Sequence, residues 1–250
     1  MPAVSENQFD SLDDLFRQII KITKDWDSVW YRGVRSANFS LVPKVLRSSN
    51  YNENIVSVEF RRRMRVEFPS MKTDFDWLCA MQHFGVPTRL LDWSESLFPA
   101  LYFATMPLSK KLNSSTIWVL NPFALVELVR CGEGVIPTQD NDIILNYSGY
   151  SFDNGQKKGV GKFPSPVVPD FIFSRLKAQN SCFTIHGSDN RPLEAQLADM
   201  DIDDPILYKF TCKNRFISSL ALSVNLLCGD PSILFPDIEG FHKWLGPDSS

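Results

Sequence analysis

Apolar residues recur at three- and four-residue spacing from Leu12 through Leu15, Phe16, Ile19 and Ile20, the stripe of an amphipathic helix. Ser11 stands where a cap belongs, with Asp14 three residues on. The polar run Asp25 to Ser28 ends this helix, and Val29-Trp30-Tyr31 reads as a short strand finishing at Arg32-Gly33. Helical spacing returns from Ile55 to Phe68 (Val58, Phe60, Met64, Phe68) and from Asp74 to Phe84 (Trp77, Leu78, Met81, Phe84). Residues 88–93 are too short and too mixed to assign by period. Ser96 is placed to cap a helix carrying Phe98, Leu101, Tyr102 and Phe103, with Pro99 tolerated in its first turn. Thr116 to Leu120 is a β-type run, and Asn121-Pro122 opens the next helix with a cap and a proline in favoured places. Further strands are expected at Phe171–Phe173, Cys182–Ile185 and Ile206–Phe210, then a helix from Asn214 to Cys228 closed by Gly229.

Short strands interleaved with helices, without regular βαβ spacing, predict an α+β fold: one domain over residues 1–250, with mixed, short-stranded sheets flanked by helices. Residues 1–27 read as an N-terminal helix. Six of the twelve glycines fall between Gly132 and Gly161, among Tyr147, Tyr150 and Phe152, so residues 132–165 read as a glycine-rich loop or insertion.

Composition narrows the class. At 44% hydrophobic and 12% aromatic, 250 residues can bury a full core, and a net charge of −3 excludes intrinsic disorder. The same near-neutrality argues against a general nucleic-acid binder. The longest apolar stretch, Phe216 to Cys228, is too short and too interrupted to cross about 30 Å of hydrocarbon. The opening MPAVSENQFD lacks a secretory signal, and Cys79, Cys131, Cys182, Cys212 and Cys228 form no CxxC pair. A cytoplasmic protein with reduced thiols is expected, without a membrane anchor or a metal, since His83, His186 and His242 lie far apart.

Polar chemistry collects in three places. In Trp30-Tyr31-Arg32-Gly33, a guanidinium ends an apolar strand beside a glycine, which suits either a phosphate or a structural ion pair. Residues Gln82 to Trp93 place Gln82, His83, Thr88, Arg89 and Asp92 among groups that want burial. Such groups either tie the fold together, for instance Arg89 with Asp92, or line a pocket walled by Phe84 and Trp93. The third is Arg175 to Gln179. The run Arg61-Arg62-Arg63, with Arg65, reads as a solvated helix face. No GxxxxGK[ST], GxGxxG or GxSxG is present.

Together these residues resemble the FRG domain family, named for a Phe/Tyr-Arg-Gly motif that here is Tyr31-Arg32-Gly33. The likeness runs through Leu41-Val42-Pro43, Arg47, Asp76-Trp77-Leu78, the block Gln82 to Trp93 and Ala100 to Ala104. It continues to Arg175–Gln179, Phe183-Thr184 and Leu234–Gly240. Tyr-Arg-Gly on a first strand is also similar to the arginine motif of arginine-type mono-ADP-ribosyltransferases. Thr88…Asp92-Trp93-Ser94, followed by Ala100-Leu101-Tyr102-Phe103-Ala104, loosely follows the order of their next motif. The glutamate of their third motif has no counterpart: Gln179 stands in that region, with Glu194 beyond.

That second resemblance implies an ADP-ribosyltransferase-like fold and an enzyme taking NAD as substrate, either hydrolysing it or modifying a protein or nucleic acid. It implies Arg32, His83, Asp92 and Gln179 as catalytic. Tyr31, Gly33, Gln82, Thr88, Arg89, Trp93 and Tyr102 would bind the anionic nucleotide, with Trp93 or Tyr102 stacking on nicotinamide. The FRG resemblance implies a bacterial setting, in antiviral defence or a toxin system. The alternative is a non-catalytic module that binds a nucleotide or a protein.

Overall fold

The computed structural model describes residues 4–47, 51–106, 114–129, 135–138, 152–153, 156–157, 161–200 and 202–237. Its helices are α1 (Leu12–Thr23), α2 (Glu53–Met64), α3 (Asp74–His83), α4 (Leu97–Thr105), α5 (Pro122–Val129), α6 (Ser174–Ala178), α7 (Leu193–Ala198) and α8 (Ile217–Cys228). The strands are β1 (Val4–Phe9), β2 (Trp30–Val34), β3 (Leu90–Ser94), β4 (Thr116–Leu120), β5 (Phe152–Asp153), β6 (Gln156–Lys157), β7 (Ser165–Val167), β8 (Ser181–Ile185) and β9 (Leu207–Cys212). Seven of them form one sheet in the order β1-β9-β4-β2-β3-β8-β7, while β5 and β6 pair separately. Only β1 with β9 is parallel; every other pair is antiparallel, which makes the domain α+β as expected.

Both faces of the sheet are covered, so the core is double. On one face α1, α4 and α8 close over Phe9, Ile117, Val119 and Phe210. On the other, α5 and α7 bring Leu125, Leu193 and Leu197 against Trp30, Trp93 and Trp118. Alternation along β2 divides its residues between the two. Tyr31 packs against the α4 side, and Trp30 and Val34 against the tryptophans.

Gly33 explains how closely α4 sits. A Cβ there would lie 1.7 Å from the Ala100 carbonyl oxygen and 2.9 Å from the Ala104 nitrogen. The helix backbone therefore rests on the strand backbone, and only glycine fits between. The glycine of the Tyr-Arg-Gly motif thus serves helix packing, and it also lines the cleft described below.

Several elements form for the reasons their sequence gives. Ser11 Oγ accepts from the Asp14 amide at the start of α1. Asn121 Oδ1 accepts from Ala124 to open α5, and Gly229, at φ 61°, closes α8. α3 starts with a capping box: Thr73 Oγ1 accepts from the Asp76 amide while Asp76 Oδ2 accepts from Thr73 and Lys72 amides. Every residue from Phe75 to Met81 is then buried, because this helix is wedged between two apolar clusters and has almost no wet face.

Other expectations need correction. Residues 1–27 are not one helix, since β1 precedes α1 and pairs along its whole length with β9. α2 begins at Glu53, where Asn52 Oδ1 accepts from Ile55, and ends at Met64 rather than Phe68. Phe171–Phe173 is not a strand. Phe173 is the cap residue before α6, and Ile172 and Phe173 pack against α3. The unassigned residues 88–93 contribute most of β3. Much of the glycine-rich segment 132–165, together with Cys131, Ile238–Gly240 and His242, lies outside the described residues. Among the described residues no helix is long and apolar enough to cross a membrane. Cys79, Cys182, Cys212 and Cys228 are buried, unpaired thiols, and burial pushes all four up from their ordinary value.

Candidate functional site

The sheet opens at its centre. β2 pairs with β4 at five positions and β3 pairs with β8 at five, yet β2 and β3 meet only at Tyr31 and Ser94. Beyond that contact the two strands diverge. Arg32 spans the gap: its Nη1 donates to the Asp92 carbonyl at 2.6 Å and lies 3.6 Å from Asp92 Oδ2. A side-chain donor thus takes over where the backbone ladder stops, and a cleft of about 440 Å³ fills the split. That volume falls within the range of small-molecule sites.

Arg32 is four-fifths buried. Burial pulls its pKa below the ordinary arginine value; the Asp92 carboxylate pulls it back up, and the charge of Arg47 lowers it further. An arginine stays protonated under such pressure, so the effect is a concentrated positive field at the cleft.

Asp92 is the one exposed residue of β3 and stands at the mouth. A relay fixes its position. Thr88 Oγ1 accepts from the Leu90 amide and donates to Gln82 Oε1 at 2.6 Å, and Gln82 Nε2 donates to Asp92 Oδ1 at 2.9 Å. α3 supplies Gln82 from its last turn. His83, its final residue, stacks on Phe173 with centroids 4.2 Å apart and planes within 5°, and lines the same cleft.

Gln179 reaches the cleft from the end of α6. Its Nε2 donates to the Leu234 carbonyl at 2.9 Å, and its own carbonyl accepts from Ser94 Oγ at 2.7 Å. This ties the segment after α8 to the rim. Arg175 strengthens the tie, through Nε and Nη2 to Asp237 Oδ2 at 3.0 and 2.8 Å, with its guanidinium 5.2 Å from the Phe235 ring centroid. The apolar wall comes from Phe39, Phe103 and Phe235.

The sequence-expected residues therefore divide. Tyr31, Arg32, Gly33, Gln82, His83, Asp92 and Gln179 line one cleft. Arg89 does not. It is 9% exposed, donates to both oxygens of Glu53 at 2.6–3.2 Å, and donates from Nη1 to the His186 carbonyl at 2.8 Å. Its partner is Glu53 on α2, not Asp92, and its role is to join α2, β3 and the end of β8. Thr88 is wholly buried and acts on the site only through Gln82.

The two expected stacking residues are both buried. Trp93 borders the cleft but is 3% exposed, with its ring in the core and Nε1 donating to Thr184 Oγ1. Tyr102 faces α8 in the opposite core and packs against Phe103 and Phe235. Alternation explains Trp93, since Leu91 and Trp93 share the inward face while Asp92 alone points out. Arg35, Phe39 and Phe235 were missed. The only signal available for them was nearness to motif residues, two and six positions after Gly33 in the first two cases.

Behind Trp93 lies a sealed polar chain. Thr184 Oγ1 sits 3.1 Å from His186 Nε2, and His186 is fully buried. Burial first, then the Arg89 and Arg32 charges, push its pKa down to about 3, so it is a neutral structural imidazole. Among the described residues no group of three His, Cys, Asp or Glu side chains is arranged to hold a metal ion.

Residues 27–112 match the family model of the FRG domain. They include β2, the block Gln82 to Trp93 and α4; the similar segments at Arg175–Gln179 and Leu234–Gly240 fall beyond the match. No curated protein and no solved structure matches the chain.

Proposed function

We propose that this chain, which carries an FRG domain over residues 27–112, binds a nucleotide in the split between β2 and β3 and cleaves the nicotinamide–ribose bond of NAD there. The observation that carries the reading is convergence. Arg32, Gln82, His83, Asp92 and Gln179 come from four elements and meet on one cleft with a phenylalanine wall.

The chemistry suits those residues. When the C1′–N bond breaks, its electron pair leaves with nicotinamide, neutralising the pyridinium, and positive charge develops on the ribose. A carboxylate at the ribose stabilises that charge, and Asp92 is the carboxylate that the Leu90–Thr88–Gln82 relay holds at the mouth. Arg32 positions Asp92 and adds to the positive field that draws an anionic ligand into the cleft. An incoming water, or a nucleophile on a protein or nucleic acid, adds to C1′ and gives its proton to solvent or to Asp92. The products are nicotinamide and ADP-ribose, free or transferred. Consumption of NAD accords with the toxin or antiviral role that the family resemblance implies.

The test is nicotinamide release from NAD by the purified protein, with and without cell extract as a source of acceptors. Asp92→Asn should slow release about 100-fold or more, on the scale of losing one electrostatic stabiliser, without lowering the melting temperature. Absence of release across the pH range in which the protein stays folded would sink the catalytic reading.

One observation favours a second reading, a non-catalytic nucleotide-binding module. Gln179 stands where the transferases carry a glutamate, and its amide is tied to the Leu234 carbonyl. In that case substitutions in the cleft weaken ligand binding with no turnover to lose.

A further inference from the structure

The charges that line the cleft do not cancel. Arg32, Arg35 and Arg175 contribute guanidiniums to its wall, and Asp92 contributes a carboxylate. Arg32 is committed to Asp92, by its backbone carbonyl and its side chain. Arg175 is committed to Asp237. Arg35 differs from both. It is partly buried on the cleft wall, and among the described residues its guanidinium makes neither an ion pair nor a hydrogen bond.

A half-desolvated cation without a counter-ion is unfavourable unless an anion joins it. Among the described residues, none on this side of the cleft relieves the excess. Arg47 is near enough for its charge to lower the pKa of Arg32, and its own guanidinium donates to the Val42 carbonyl, a neutral acceptor. The positive potential therefore collects at the end of β2, where Arg35 has five donors and, among the described residues, no partner. The flat fork of a guanidinium fits phosphate oxygens in pairs.

Phe39 adds the second half of a ligand's outline. It lines the same cleft four residues further on and is 56% exposed, so its ring is open to a ligand. An exposed ring beside an unpaired guanidinium matches a ligand that joins a flat base to a phosphate.

We infer that Arg35 is the anion anchor of the cleft. It takes the phosphate or diphosphate of a nucleotide whose base packs on Phe39, while Arg32 is a positioning residue that holds Asp92. This assignment rests on the nucleotide reading above and supplies the ligand contact that Arg32, already bonded, does not.

The experiment is calorimetric titration of the full chain with ADP-ribose and, in parallel, with adenosine, which has a base and no phosphate. Arg35→Gln should weaken ADP-ribose binding roughly 10- to 100-fold, the loss expected for charge-assisted hydrogen bonds. It should also flatten the salt dependence and leave adenosine binding and the melting temperature unchanged. Arg35→Lys should recover part of the affinity, because the charge returns without the fork. Equal ADP-ribose affinity in wild type and Arg35→Gln overturns the assignment. So does a parallel loss for both ligands, or a wild type that binds no ADP-ribose. A wild type that binds ADP-ribose through Arg35 but releases no nicotinamide from NAD leaves the anchor standing and removes the catalytic reading alone.

Discussion

Removing the Arg89 guanidinium tests whether the densest polar block of the sequence is partly scaffold. Arg89 and Glu53 are 11% and 12% exposed at their side chains and share three hydrogen bonds between 2.6 and 3.2 Å. A fourth contact, to the His186 carbonyl, anchors the end of β8. Arg89→Ala leaves a buried carboxylate without its cation and a buried carbonyl without its donor. Breaking a pair of this kind costs about 3–5 kcal/mol. For a chain of this size about 1 kcal/mol moves the melting temperature by roughly 2–4 °C, so the expected drop is on the order of 6–20 °C. Thermal melting by circular dichroism, with urea unfolding as a second measure, gives the value. The double variant Arg89→Met with Glu53→Leu should recover most of the loss, since a packed apolar pair removes both charges together. A stable Arg89→Ala protein that loses nucleotide binding would refute the reasoning and return Arg89 to the site.

Three further outcomes follow from the geometry. Gly33→Ala drives a methyl group into the Ala100 carbonyl, so α4 must lift from β2 by more than an ångström. It should cost roughly 3 kcal/mol or more, at the upper end of overpacking, and be seen as insoluble expression or a strongly lowered melting temperature. His186 has a folded pKa of about 3 against an ordinary 6.5, so the unfolded chain binds its proton first. Its contribution is intact above 6.5 and declines as pH falls toward 3, by at most about 1.4 kcal/mol per pH unit; His186→Gln should make urea midpoints less acid-sensitive across that window. Arg175→Ala should release the segment Leu234–Asp237, read as faster amide exchange there with exchange in β4 unchanged.

The fold was legible where short-range chemistry decided it. Ser11 with Asp14 and Asn121 with Ala124 each satisfy a helix start within three residues, and such local pairings can be read from one stretch of chain. β1 was not legible, because VSENQF shows little apolar content and becomes a strand only through its distant partner β9. Phe171-Ile172-Phe173 looked like a strand because β-formers also suit a loop that plugs a gap beside α3. In the site, the density of polar groups in residues 82–93 pointed to the right place. Which of them faced inward depended on the face that each β3 residue presents, and the Arg89–Glu53 pair joins residues 36 positions apart. No spacing rule reaches that far.

The parallel pairing of β1 with β9 also sets an order of assembly. Val4 to Phe9 leave the ribosome well before their register partners, Leu207 to Cys212, which lie about two hundred residues behind them. At roughly 5–20 residues per second the first strand waits some 10–40 s for its neighbour. During that wait β9 is also missing from β4, its antiparallel partner on the other side, so β4 keeps an open edge. Closing so wide a loop adds to the folding barrier and lengthens the exposure of that edge. Expression yield should therefore depend on whatever shields β4 until the late strand arrives.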